Sequence, residues 1–374
     1  MILRQLQIEN FKCFQKKQTF DFGKITLLTG ANSSGKSSVI HAILGALQSV
    51  DFPFYYSTNG DYVNMGSFKE IVYNHDLNSQ FEISVLFDSF PKKISTTWKE
   101  STFNKLPQLV LLKVGDEEFN CPLMLLNTAR EHGEEIIDIE NTIRAIREYT
   151  PKINYIGAFR LDPQRTYLEK NRKDEKVGKS GDGYLEQILS WQTYESDKFE
   201  ILISEMRNLH LLEDVNTERL DGGRYEVKVK TKGNEILSSL SDVGYGISQF
   251  LPIMVADLQL PDNSQLFLSQ PEIHLHPSVQ SSFGDYLVRQ INKSDKRYVV
   301  ETHSEYLLNK LRLAIVKGEL KQEDISVYYL ENNGVDTSVH KIQFEKNGQI
   351  NGAPSSFFET YMTDSMEIVL NATD

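Results

Sequence analysis

Apolar and polar positions alternate along the first segment around Leu6 and Ile8, and after a turn comes a short apolar run at Ile25, Leu27 and Leu28. A period of two puts successive side chains on opposite faces of a strand, whereas a continuous apolar run marks a strand covered on both sides. The spacing therefore predicts a strand pair whose second member is buried. The period then changes. In SSVIHAILGALQSV the apolar positions Val39, Ile40, Ile43, Leu44 and Leu47 recur at three and four, the spacing of one helical face. Strand-like runs follow at 81–90 and 107–113, and EEIIDIENTIRAIREY places Ile136, Ile139, Ile143 and Ile146 on one face of a helix too short for a coiled-coil arm. A polar, lysine-rich stretch near 169–183 predicts an exposed loop, and 224–231 alternates as a strand. Strands and helices then take turns: a glycine-bearing turn into a helix over 244–258, a strand at 265–268, a helix over 277–292, a strand at 297–302 and a helix from Ser304. This succession predicts an α/β fold with a mainly parallel central sheet flanked by helices.

The 374-residue chain is 40% hydrophobic and 25% charged, enough apolar material for a sizeable core in one large or two modest domains. A formal net charge of −12 argues against general coating of nucleic acid. Two local basic clusters remain as candidate nucleic-acid patches: Lys12, Lys16 and Lys17, and Lys170, Arg172, Lys173, Lys176 and Lys179. For both, a solvated face is the plainer alternative. Cys13 and Cys121 match no metal or redox spacing and point to a reduced compartment. With neither a membrane-length apolar span nor a signal-peptide core, the expected location is cytoplasmic, away from any membrane.

Between the buried strand and the first helix lies GANSSGKS, which fits the phosphate-loop pattern G-x-x-x-x-G-K-[ST] in full. The candidate nucleotide-binding residues are Gly30, Asn32, Ser33, Ser34, Gly35, Lys36, Ser37 and Ser38. Backbone N–H groups and the helix N-terminus cradle the phosphates, Lys36 reaches the β- and γ-phosphates, and the Ser37 hydroxyl is a magnesium ligand. The expected cofactors are ATP and Mg²⁺.

Four later segments carry a family resemblance. LSDVGYGISQFLPIM (240–254) resembles the signature loop of ABC-type ATPases in their RecF- and SMC-like branch, and QLFLSQPEIHLHPSVQ (265–280) resembles that branch's Walker B strand running into its D-loop. ETHSEYLL (301–308) resembles its switch-histidine motif. YIGAFRLDPQRTY (155–167) resembles a segment of small prokaryotic ATPases related to the overcoming-lysogenization-defect enzymes, and the tail from Phe344 resembles that of a compact subgroup encoded beside phage-defence or toxin-like partners.

The resemblance implies a homodimer with composite ATP sites. In it, Gly244 and Gly246 bring backbone to the partner's γ-phosphate, Ser248 offers a hydroxyl, and His303 contacts the γ-phosphate or the attacking water. It implies an ATPase head with an antiparallel N-terminal β-subdomain and an inserted helical subdomain. The expected division is 1–99 for the N-terminal lobe, 100–235 for the insert, 236–345 for the C-terminal lobe and 346–374 for the tail. The implied role is a sensor or regulatory ATPase of an anti-phage defence complex, controlling a nuclease or toxin effector in trans. The alternatives are a RecF-like DNA-binding repair ATPase and a scaffold that binds ATP without turnover.

One departure from the pattern stands out. The Walker B strand should end in a magnesium-holding carboxylate followed by an acidic residue that orients water, but here the two positions are Ser269 and Gln270. Ser269 is left as a weak magnesium ligand, with Gln270, Glu272 and His303 as the catalytic candidates, and slow hydrolysis is expected. His274 and His276 near Glu272 pose a zinc reading for which no third ligand lies at a suitable spacing; the resemblance makes this stretch a dimer-facing loop. Arg160 and Arg165 are open between a bridge to a partner or DNA and a structural ion pair.

Overall fold

A computed structural model describes residues 2–49, 51–88, 90, 92–120, 143–144, 146–170, 176–233, 235–357 and 370. Cys121, Ile136, Ile139, Arg172, Lys173 and nearly all of the tail beyond 357, each part of an expectation above, lie outside the described residues.

Along the chain the strands are β1 (Leu3–Glu9), β2 (Gln18–Asp21), β3 (Ile25–Gly30), β4 (Phe81–Phe87), β5 (Ile94–Glu100), β6 (Pro107–Val114), β7 (Glu117–Asn120) and β8 (Ile153–Ile156). They continue as β9 (Tyr167–Leu168), β10 (Asp214–Leu220), β11 (Arg224–Lys230), β12 (Ser238–Ser239) and β13 (Gln265–Ser269). The last are β14 (Arg297–Glu301), β15 (Ile325–Asn332), β16 (Thr337–Phe344) and β17 (Ile350–Asn351). They form three sheets: an antiparallel one in the order β2-β1-β4-β5-β6-β7, a small one in which β11 pairs with β9, β10 and β12, and a central one in the order β17-β16-β15-β3-β14-β13-β8. The central sheet is parallel from β15 to β8 and antiparallel only at its β16 and β17 edge.

Strand alternation explains the layering. In the central sheet Ile25, Leu27, Leu266, Leu268, Tyr298 and Val300 enter one core, packed under the helices Tyr245–Gln259, Pro277–Ser294 and Glu305–Val316. Their neighbours Leu28, Phe267 and Val299 point the other way, into a second core shared with the helix Lys36–Leu47 and the first sheet. Each buried strand thus feeds two cores, which is why these strands read as continuous apolar runs rather than alternating ones.

The expected division at 99 and 235 does not follow the sheets. Residues 107–120 complete the antiparallel sheet, with β5 paired to β6 and β6 to β7, and β8 is an edge strand of the central sheet. Among the described residues, the stretch from β9 to β12 carries a small sheet of its own, which packs with the helices Tyr184–Tyr194 and Ser196–Asn208. A boundary drawn from sequence distance alone has no access to hydrogen bonds between strands far apart in the chain.

Candidate functional site

The phosphate loop opens at the C-terminal end of β3 and closes on the helix Lys36–Leu47, so the first-turn N–H groups face the loop. Two glycines are required by geometry. Gly30 has φ +132° and a Cβ there would meet the Leu330 carbonyl oxygen at 2.1 Å; Gly35 has φ +100° and a Cβ would meet Cys13 Sγ at 2.5 Å. Ser33 also takes a left-handed φ of 60°, part of the turn that aims successive N–H groups inward. Lys36 is 4% exposed, and its ammonium donates to the carbonyls of Gly30 at 3.0 Å and Ala31 at 2.6 Å. Burial holds its pKa below the ordinary lysine value, against the pull of Glu301 and Glu272.

Beside the loop, three side chains on adjacent strands of the central sheet and one on the loop helix form a row. The Tyr155 hydroxyl lies 3.3 Å from Ser269 Oγ, Ser269 donates to Glu301 Oε2 at 2.9 Å, and Ser37 donates to Glu301 Oε1 at 2.7 Å. Burial raises the Tyr155 pKa, so the phenol stays protonated. Glu301 is the site residue that linear motif reading missed; its β14 lies between β3 and β13, an order no local pattern reveals.

Gln270 lines the same cleft with a left-handed φ of 47°, its N–H bonded to the Glu301 carbonyl at 2.7 Å. Glu272 accepts the His303 N–H at 2.6 Å and is raised in pKa by burial. His303 lines the cleft with the loop residues, and burial and then Lys36 lower its pKa, leaving a neutral imidazole at pH 7. Ser304 caps the next helix, accepting from the Leu307 N–H at 3.1 Å. All of the predicted loop residues from Asn32 to Ser38 line this cleft together with Gln270 and His303.

The signature segment lies apart. Gly244 caps the helix Tyr245–Gln259 and has open space where a Cβ would stand, and Gly246 packs against the His274 carbonyl. Ser248 is 1% exposed and donates to the Tyr245 carbonyl at 3.0 Å, so its hydroxyl serves the first helical turn in this state instead of presenting itself outward. The exposed group there is Tyr245, whose ring contacts His274. His276 is spent as the cap of the helix Pro277–Ser294, accepting from the Ser278 N–H. Among the described residues no group of three or more His, Cys, Asp or Glu side chains gathers to hold a metal.

The open question on the arginines resolves differently for each. Arg160 is buried and its guanidinium donates to the carbonyls of Gly157, Gln249 and Gln270, joining the signature helix to the end of β13. Arg165 is exposed and forks onto Asp242 at 2.7 and 2.9 Å. Several described members of the basic patches are engaged: Lys176 donates to the Thr150 and Ile153 carbonyls, Lys170 pairs with Glu186, and Lys17 bridges Glu9 and Glu82.

His41, on the loop helix, accepts from Lys12 Nζ at 3.1 Å, and its pKa is lowered to about 4 by burial, then by Lys12 and Lys179. Between pH 6.5 and 4 the unfolded chain takes up a proton that the folded one refuses, so stability falls with acidification across that window, by up to a few kcal/mol. Denaturant midpoints measured from pH 7 to 4 should show this slope, and it should flatten in His41→Asn.

Strand, phosphate loop and helix, flanked by Glu301 at the end of the neighbouring strand and by His303 just beyond it, define a nucleotide-binding phosphate-loop site. The chain belongs to the AAA ATPase domain family, whose profile matches residues 1–203 and 170–308. No curated protein matches it. Among solved structures it is similar to an SMC head bound to the C-winged helix domain of ScpA, at 14% identity and a TM-score of 0.53, covering 92% of this chain and 99% of that one. It is also similar to an SMC head domain from Thermotoga maritima, at 12% identity and a TM-score of 0.48, covering 92% of this chain and 100% of that one. The first likeness shows the fold; the nucleotide chemistry follows from the family and from the loop. Among the described residues no helix is long and apolar enough to cross a membrane.

The donor set beside the loop is made of oxygen atoms, from Ser37, Ser269 and Glu301, with a single carboxylate. This is the chemistry a magnesium ion takes when phosphates and water fill the rest of its shell. The residues therefore fit the Mg²⁺ that such ATPases use.

Proposed function

We propose that this chain is a switch ATPase whose two copies close around ATP, each supplying the signature segment for the other's phosphate loop. The observation that carries this reading is a separation within one copy. The phosphate cleft is lined by the loop, Lys12, Cys13, Gln270, Glu301 and His303, with no contribution from 240–248, while the signature helix presents Gly244 and Tyr245 outward. A nucleotide held in the cleft leaves one side uncovered, and a second copy carries the complementary surface. Phe159, 93% exposed, and Leu161 flank Arg160 next to that helix and extend the apolar part of the face.

Within the pair, Lys36 and the loop N–H groups bind the phosphates, Glu272 holds the His303 backbone in place, and neutral His303 orients water or the γ-phosphate. Magnesium, when bound, offsets phosphate charge and polarises the γ-phosphate. Closure and reopening of the heads would be the signal read by an effector, a nuclease or toxin, in trans; the order of motifs and the tail's resemblance to defence-linked ATPases favour this over a DNA repair clamp. So does the charge: the net is −12, and three of the patch lysines, 17, 170 and 176, are tied to carboxylates or carbonyls.

With ATP and Mg²⁺, light scattering should show the 42.9 kDa species doubling, and no doubling in Lys36→Ala. Phosphate release should be unchanged by duplex DNA. Stimulation by DNA with a steep salt dependence would instead establish the repair-clamp reading. Phage plating on cells carrying the chain with its flanking genes, against the Lys36→Ala version, tests the defence role.

A further inference from the structure

We propose that Glu301 supplies the carboxylate that anchors the magnesium ion of the bound nucleotide, from the strand next to the one that ends in Ser269. The proposal rests on the nucleotide-binding reading of the phosphate loop and adds to it a metal ligand on a different strand.

Register places Glu301 for this. In the parallel pairing of β13 and β14 Ser269 lies directly beside Glu301, and in that of β14 and β3 Glu301 lies beside Leu28, two residues before Gly30. Paired residues of neighbouring strands stand on the same face, about 4.8 Å apart. That face is the one bearing Phe267 and Val299, toward the loop helix and Ser37. A carboxylate on β14 is one strand closer to the phosphate loop than a residue on β13, and Glu301 already reaches the Ser37 hydroxyl.

Electrostatics point the same way. Glu301 is 4% exposed, and its two oxygens accept from the hydroxyls of Ser37 and Ser269. Among the described residues no cation lies within ion-pair distance of it; the Lys36 ammonium is held on the loop carbonyls. A buried carboxylate satisfied only by neutral hydroxyls is poised for a cation. Ser37 donates its proton to Glu301, which leaves the hydroxyl oxygen's lone pairs for a metal. Ser269, too short and uncharged to do the carboxylate's work, orients it, with Tyr155 behind it.

The test is titration calorimetry with ATP, in EDTA and in Mg²⁺, for the parent, Glu301→Gln, Lys36→Ala and the double variant Ser269→Asp/Glu301→Gln. In the parent Mg²⁺ should tighten binding. In E301Q that gain should shrink at least about tenfold, the lower end of what disturbing a metal's ligand sphere costs, while binding in EDTA is as tight as in the parent or tighter because a negative charge beside the phosphates is gone. The double variant, with its carboxylate back on β13, should regain the Mg²⁺ gain. Electron paramagnetic resonance of Mn²⁺ with ATP should show the same ranking of bound metal, independent of turnover. Equal Mg²⁺ gain in E301Q and parent, with matching thermal unfolding, overturns the proposal, as does a double variant no better than E301Q. If the parent itself binds no ATP, or binds it no better than Lys36→Ala, the nucleotide reading fails instead.

Discussion

Replacing Lys36 by alanine should weaken nucleotide binding sharply and take hydrolysis close to background, while costing the nucleotide-free protein only about 1–3 kcal/mol of stability. The ammonium is buried against two carbonyls of the loop, and burial already disfavours its charged form. Triphosphate offers it far better partners. Charge-assisted hydrogen bonds contribute about 1.5–3 kcal/mol each, so losing this one weakens ATP about ten- to hundredfold. Turnover should fall further, by about 10²–10³, because the lost charge acts most strongly on the developing transition state. In the nucleotide-free fold the ammonium bonds those two carbonyls, one of them in a buried contact, and stands in the field of Glu301 and Glu272, so its loss there costs about 1–3 kcal/mol. Calorimetric binding and thermal unfolding of the same preparation check both halves of this expectation.

The largest loss of stability should come from Arg160→Ala. Three buried or part-buried carbonyls, those of Gly157, Gln249 and Gln270, lose the guanidinium together, and the Gln270 carbonyl keeps only a long 3.4 Å bond from the Ile273 N–H. Each hydrogen bond to a charged group contributes about 1.5–3 kcal/mol, so a total of about 3–5 kcal/mol is expected once the residual partners are allowed for. The consequence reaches the site, because Gln270 is held at φ 47° between the Arg160 fork on its carbonyl and the Glu301 carbonyl on its N–H. A left-handed non-glycine residue persists only where its surroundings fix it. Nucleotide turnover should therefore fall more than nucleotide affinity. Arg160→Lys should not rescue, since an ammonium cannot reproduce a guanidinium fork aimed at carbonyls on separate elements. Burial has lowered the Arg160 pKa to about 10, still well above physiological pH, so the fork remains charged. Chemical denaturation and steady-state kinetics of the two variants provide the check.

The parts of this molecule that could be read from sequence are those where local signals agree. The run at Ile25, Leu27 and Leu28, the glycine loop and the three-and-four spacing after it all describe one strand-loop-helix unit, and the structure has it at Ile25–Gly30 and Lys36–Leu47. The strands Gln265–Ser269 and Arg297–Glu301, with the helices after them, were legible for the same reason. What stayed hidden depends on strand order and on burial. Ser269 reads as a lost carboxylate along the chain, yet β14 inserts itself beside it and brings Glu301 to the same face. Arg160 could not be assigned between surface and interior because its partners are backbone carbonyls, which leave no trace in composition. Residues 100–235 appeared as one insert because nothing local shows that β6 and β7 close one sheet while β8 joins another.

The measurement that most directly tests the paired-head account is complementation between two inactive variants. Lys36→Ala disables the phosphate loop, and Gly244→Asp places a negative charge where a Cβ meets open space, so the fold tolerates it while the partner's γ-phosphate would be repelled. Neither variant alone should hydrolyse ATP. Mixed in equal amounts, they should recover about a quarter of parental activity, since half of the randomly formed pairs carry one intact composite site out of two. A mixture as inactive as its components, from a parent that does hydrolyse ATP, would contradict the account.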